Sequence, residues 1–274
     1  MTQPAAEPAP GEGTSHLRLS FPADGVAVIT LDNPAQRNAM SGPMTESWVR
    51  TIQQLRTDPD VRCVVVTGEG SAFCSGGDPK WIASEPDAPV HHLRDRMLGF
   101  YRAWLSVRDL EVPTIAAING PAVGAGLCLA LACDVRYAAA SARMSLPFVQ
   151  LGMHAGMAAT YTLPNVVGEA HARDLLLTGR MVGAEEAFRM GMVSAVTPDE
   201  EFMGSVLETA SGIAATAPVA SRLTKVAMRD GGHADFQSCI DWEALAQPVT
   251  LATEDLQEGV RAGRERRAPV FQGR

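Results

Sequence analysis

Lysine is almost missing from this 274-residue chain: Lys80 and Lys225 are the only two. With a formal net charge of −8 there is no basic stripe to follow a nucleic-acid backbone, and general nucleic-acid binding is excluded. A phosphate-bearing small ligand would depend on local arginines, these two lysines and backbone amides. No run of eighteen or more apolar residues occurs, so no membrane-spanning helix is expected. The leading MTQPAAEPAPGEG has neither the basic nor the apolar region of a secretory leader, which sets the expectation of a cytoplasmic address. Cysteine is sparse and odd in number: Cys63, Cys74, Cys128, Cys133 and Cys239 lie mostly inside apolar runs, without CxxC or metal-ligand spacing. Buried, reduced thiols are expected, and no metal. The chain also lacks a GxGxxG or P-loop fingerprint and any strong internal repeat.

What is present describes an ordinary globular protein, with 46% hydrophobic and 20% charged residues and enough length for one large domain or one domain with an appendage. The Pro-, Ala-, Gly- and Glu-rich residues 1–15 read as a mobile tail. Strands are expected at 25–31, 61–67, 114–118 and 134–138, with a short one at 194–196. Helical spacing joins Trp48, Ile52 and Leu55. Residues 81–89 read as a loop and 91–107 as a helix; together they are the expected mobile lid. From Gly156 onward the pattern is largely helical, and ERRAPVFQGR closes the chain as an extended basic tail. Strands alternate with helices early, so the fold class is α/β: a core over 16–200 and a helical region over 201–274.

The stretch that organises the chain is Pro113 to Val135, PTIAAINGPAVGAGLCLALACDV. A β-branched strand is broken by Asn119-Gly120-Pro121. Gly124-Ala125-Gly126 follows and opens a compact apolar helix. Such a strand, small-residue turn and helix start aim unpaired N–H groups at one point, suited to an oxygen that is or becomes negative. The alternative is that the small residues only let helix and strand pack closely. A second stretch, VTGEGSAFCSGGDPK (66–80), repeats the design, and the two turns can each offer one N–H to a shared oxygen.

In these motifs the chain resembles the crotonase, or enoyl-CoA hydratase/isomerase, superfamily. The ordered motifs are LDNPAQRNAM, VVVTGEGSAFCSGGD, AAINGPAVGAGLCLALACDVRYA, LLLTGRMVGAEEAFRMGMV and the closing VFQGR, and they span roughly residues 24 to 274. The resemblance implies a spiral of β-β-α units with a C-terminal helical trimerisation region, as a homotrimer or a dimer of trimers. The implied ligand is an acyl-CoA thioester, with coenzyme A as part of the substrate and no separate cofactor. It implies an oxyanion hole made by the Gly77 and Ala125 amides, flanked by Gly76 and Gly124. It also implies coenzyme A contacts at Gln36, Arg37 and Ala39 and at Ser75, Asp78 and Lys80. For Asp78 the plainer alternative is a turn carboxylate bonding nearby N–H groups; for Arg37 and Lys80 it is a solvated charge.

Two departures bear on the reaction. Where family hydratases place their two glutamates this chain has Cys128 and Phe148, and where other members place an aspartate it has Gly156. A thiol in an apolar run and a phenyl ring do not deliver protons to water as a carboxylate does. Phe148 is expected to wall the acyl group, and Cys128 to be a structural thiol. His154, in Leu151–Gly156, is the candidate acid/base, with a loop histidine that only shapes the pocket as its alternative. The expected function is an acyl-CoA enzyme that stabilises a thioester enolate for hydration, isomerisation or decarboxylation of a malonyl-type thioester. The other readings are an acyl-CoA binding and presenting protein without turnover, and a structural assembly protein.

Overall fold

The structure, a computed structural model, describes residues 15–229 and 235–274. The expected tail over 1–15 lies outside the described residues except for Ser15, whose N–H donates to Ser47 Oγ at 2.9 Å. A six-stranded sheet runs in the order β1 (Leu17–Ala23), β2 (Val26–Leu31), β3 (Cys63–Gly68), β4 (Thr114–Ile118), β6 (Val135–Ala139) and β9 (Ala195–Thr197). Only the β1–β2 pairing is antiparallel; the remaining four are parallel. A second, three-stranded sheet joins β5 (Ala122–Val123), β7 (Arg143–Ser145) and β8 (Val182–Gly183). The architecture is α/β with mixed sheets, as the sequence suggests.

The unbroken apolar runs of β2, β3 and β4 follow from burial on both faces. On one face Val26, Val28, Cys63, Val65, Ile115 and Ala117 pack against Phe202, Val206 and Ala210 of helix α7 (Phe202–Ala214). On the other, Ala27, Ile29, Val64, Val66, Ala116 and Ile118 meet Trp48 and Ile52 of α1 (Gly42–Thr57) and the wholly buried helix α4 (Ala125–Ala132). Each fully buried Val, Leu or Ile contributes about 1.5–3 kcal/mol of transfer free energy, and these two layers make the strands the fixed frame of the molecule.

Around this frame run α2 (Pro79–Ile82), α3 (Val90–Leu105), α5 (Ala159–Thr178, interrupted at Gly168) and α6 (Ala184–Arg189). The chain finishes with α8 (Pro218–Ala227), α9 (Phe236–Leu251) and α10 (Glu254–Glu265). The expected loop at 81–89 is corrected at its start: one helical turn, α2, forms there because Asp78 caps it, accepting the Lys80 N–H at 2.9 Å. The expected lid helix is α3, and its C-terminal end is anchored. Trp104 stacks on Trp48 with ring centroids 5.0 Å apart, its indole donates to Thr45 Oγ1, and the Trp48 indole donates to Ala103 O. None of the described helices is long and apolar enough to cross a membrane.

Candidate active site

The two glycine turns are locked to each other. Asn119, in the break after β4, accepts the Gly68 N–H at 3.1 Å and donates to Gly68 O at 2.8 Å and Gly70 O at 3.0 Å. Farther along, Val123 N–H donates to Cys74 O at 2.9 Å and Cys74 N–H to Pro121 O at 3.2 Å. The loop after β2 is tied to the same turn. Asn38, fully buried, donates to Glu69 O and Ala72 O at 2.9 and 2.8 Å and accepts the Asn33 N–H at 2.9 Å. Ser75 N–H donates to Arg37 O, Ser75 Oγ to Gln36 O, and Met40 N–H to Gly76 O. Three separate pieces of sequence are thereby held as one rim.

In each turn a glycine with positive φ precedes the amide of interest: Gly76 (φ +94°) before Gly77, and Gly124 (φ +55°) before Ala125. The turns touch so closely at Gly76 that an added Cβ would stand 2.7 Å from Val123 O and 3.2 Å from Ala125 N. Gly77 pairs with Met40 as an isolated parallel bridge, whose bonds run through the neighbours of Gly77 and leave its own N–H out. Ala125 is the first residue of α4, where an N–H has no partner within the helix. Among the described residues neither N–H has a protein acceptor. The positive end of α4, eight buried residues long, adds to the attraction for negative charge at this point.

Gly77 and Ala125 line one cavity of about 90 Å³. Its walls are apolar: Trp81, Met97, Phe100, Tyr101, Phe148 and Met153 among others. Among the described residues no lysine, arginine, histidine or carboxylate lines it. A much larger hollow of about 650 Å³ lies elsewhere, beside α8, and includes none of the expected site residues. Two of its charges are engaged within the fold, Lys225 with Asp134 and Val112 O and Arg136 with Met192 O and Cys133 O, whereas Arg229 Nε and Nη2 are buried without a partner among the described residues.

The structure therefore gathers Ser75, Gly76, Gly77, Gly124, Ala125 and Phe148 on one cavity. Gln36 and Arg37 are exposed beside it through their bonds to Ser75, Ala39 is buried behind them, and Lys80 is exposed on α2. Asp78 caps α2, as the plainer reading of a turn carboxylate has it. His154 is not brought in. It is exposed, does not line the cavity, and its Nδ1 is 2.7 Å from Ala155 O, because the loop before α5 presents Met153, Gly156 and Met157 instead. Cys128 is fully buried with its Sγ toward Gly156 O, and burial drives its thiol pKa far up, so it stays a neutral filler. Burial likewise pushes Cys74 up to about 12.

Sequence reasoning passes over the contribution of α3. Met97, Phe100, Tyr101 and Trp104 fall at i, i+3, i+4 and i+7, one helical face, and the first three line the cavity. Tyr101 is the only ionisable side chain among the lining residues described.

Against known proteins, a family model described as enoyl-CoA hydratase/isomerase matches residues 22–274. A probable enoyl-CoA hydratase, echA12, of Mycobacterium leprae is 37% identical over 266 residues, which covers 94% of this chain and 90% of that protein. The (E)-benzylidenesuccinyl-CoA hydratase of Thauera aromatica is 39% identical over 256 residues, 90% of this chain and 96% of that one. A crystal structure of enoyl-CoA hydratase from Bacillus anthracis is similar with a TM-score of 0.89 at 32% identity, covering 95% of this chain and 100% of that chain.

Proposed function

The chain belongs to the enoyl-CoA hydratase/isomerase, or crotonase, family, and from that premise we propose that it holds an acyl-CoA thioester with its carbonyl oxygen between the Gly77 and Ala125 amides and stabilises the enolate. Donors fixed before the reaction need no reorganisation as charge builds on the oxygen, and one such donor is worth about 3–4 kcal/mol of barrier in acyl-transfer enzymes. Exposed Arg37 and Lys80 are the cations nearest in sequence to the rim, and the reading assigns them to coenzyme A phosphates. A cavity of about 90 Å³ favours a short or compact acyl group.

Among the three enolate reactions, decarboxylation of a 2-carboxyacyl-CoA fits the lining best. Hydration asks for a base to activate water and an acid for the α-carbon, and isomerisation asks for a base to take the first proton. Loss of carbon dioxide forms the enolate by itself. An apolar wall also disfavours the substrate's free carboxylate relative to the delocalised transition state. The observation that carries this reading is the pairing of two unpartnered amides with a cavity that no carboxylate of the described residues lines. The same absence favours one second reading, an acyl-CoA carrier without turnover.

The test is a panel of 2-enoyl-, 3-enoyl- and malonyl-type CoA thioesters followed by mass. Loss of 44 mass units from the malonyl-type members supports the proposal. Gain of 18 units on a 2-enoyl member would replace it with hydration, appearance of conjugated-enoyl absorbance from a 3-enoyl member without a mass change would replace it with isomerisation, and tight binding with neither change would leave the carrier.

A further inference from the structure

The enolate needs one proton at its α-carbon, and among the described lining residues one ionisable side chain, Tyr101, can give it. We infer that Tyr101 is a catalytic residue, the general acid that delivers a proton from its phenol to the α-carbon of the enolate held at Gly77 and Ala125. The inference rests on the enolate reading above.

Position argues first. Tyr101 projects from α3 into the cavity, and its hydroxyl occupies the space beside Gly156: a Cβ added to Gly156 would stand 2.4 Å from that oxygen. Gly156 thus has no side chain because the phenol fills the place where one would begin. Second, the hydroxyl of this half-buried tyrosine makes no hydrogen bond to another described residue, so its proton is free to be offered within the cavity. A donor of this kind can turn from solvent to a thioester bound in the cavity.

Third, the neighbours keep the proton in place. The thiol of Cys128 faces the ring from α4, Gly156 and Met157 from the loop before α5, and Met97 and Phe100 from α3 itself; none carries charge. Partial burial, with Cys128 as the smaller contribution, moves the phenol above its ordinary value, so it is a neutral donor at physiological pH.

The step balances without any further reagent. The bond between Cα and the carboxylate breaks, carbon dioxide departs, and the electron pair moves into the enolate with charge on the thioester oxygen. As the carbonyl re-forms, Cα takes the proton of Tyr101, and the phenolate recovers one from water. The product is an acyl-CoA one carbon shorter than the substrate.

The experiment compares wild type with Tyr101→Phe in D₂O, using methylmalonyl-CoA and propionyl-CoA as probes. Wild type should convert methylmalonyl-CoA to propionyl-CoA bearing one deuterium at C2 as a single enantiomer, whereas Y101F should give both enantiomers because water protonates either face. Propionyl-CoA at pD 9.5 tests the tyrosine without any carboxylate. Wild type should wash deuterium into C2, and Y101F should do so about 10²-fold more slowly, the usual lower range for a general acid. Affinity for a non-reactive thioether analogue should be the same for both proteins. Should Y101F be poorly folded, Gly156→Ala, which displaces the hydroxyl from the other side, should produce the same loss.

Retention of a single enantiomer and of the wash-in rate by Y101F would overturn the assignment. If wild type leaves methylmalonyl-CoA intact yet shows wash-in that depends on Tyr101, the assignment stands and the decarboxylase reading falls. If it shows neither reaction, both are wrong.

Discussion

Replacing Gly76 with alanine tests how the two turns are held. Two penalties act on the variant. Alanine at φ +94° is forced into a backbone region that L residues avoid, which costs about 1–3 kcal/mol. Its methyl would also stand 2.7 Å from Val123 O, a main-chain atom of the opposite turn that has no rotamer to escape into. The turns must part, which tilts the Gly77 amide away from the point that Ala125 faces. Loss of one such donor is worth about 10²–10³-fold in turnover. The strain alone, at about 2–4 °C per kcal/mol for a domain of this general size, lowers the melting temperature by roughly 2–12 °C. Gly124→Ala is the matched comparison. It has the same kind of strain at φ +55° but nothing within 4 Å of the added methyl, so its loss of turnover should be the smaller. The assay is kcat on the best thioester of the panel beside a thermal melt of each variant. If G76A turned over within threefold of wild type, the contact between the turns would have no part in positioning the amides.

Two further outcomes are expected. Asn38→Ala strands the carbonyls of Glu69 and Ala72 and the N–H of Asn33 in the interior; at about 1–3 kcal/mol each the variant should lose about 3 kcal/mol or more, read from the urea midpoint, and a loss under 1 kcal/mol would contradict the clamp. At the C-terminal tail, hydrogen bonds from Arg267 and from the Val270 N–H hold Glu258 near a pKa of about 2, well below its ordinary 4.5. A depressed carboxylate stabilises above its unfolded value and loses that contribution as pH falls toward 2. Protection of the Val270 amide, corrected for intrinsic exchange, should therefore hold above about pH 4.5 and decline below it. Glu258→Gln should abolish that pH dependence.

Much of the frame was legible in the chain because its signals are local. Strand β4 matches its β-branched run from Thr114 to Ile118, and β2, β3, β6 and β9 fall within a residue or two of their apolar stretches. The glycines marked both turns, since only positions with unusual φ or backbone crowding hold them there. Edge strand β1 is passed over by the sequence reading although Leu17, Leu19 and Phe21 alternate with Arg18 and Ser20 in the two-residue period of a half-buried strand. The C-terminal tail reads as a loose basic extension, yet Asp255 accepts the N–H groups of Gln272 and Gly273 and Glu258 holds Arg267; such long-range pairs leave no periodic trace. The candidate acid/base shows the same limit. His154 has the right chemistry in a loop near the cavity, but which side chain a loop turns inward is decided by packing. Tyr101 comes from a helix fifty residues away in sequence, and only its helical spacing with Met97 and Phe100 hinted at a shared face.

The most direct measurement is a bound structure with a non-hydrolysable acyl-CoA analogue, paired with the carbonyl stretch of a ¹³C-labelled thioester in solution. The account requires the carbonyl oxygen to lie about 2.7–3.1 Å from the nitrogens of both Gly77 and Ala125, with the stretch moved to lower frequency and the move lost in Gly76→Ala. An oxygen that meets only one of these nitrogens, or an unshifted stretch in the wild-type complex, would contradict it.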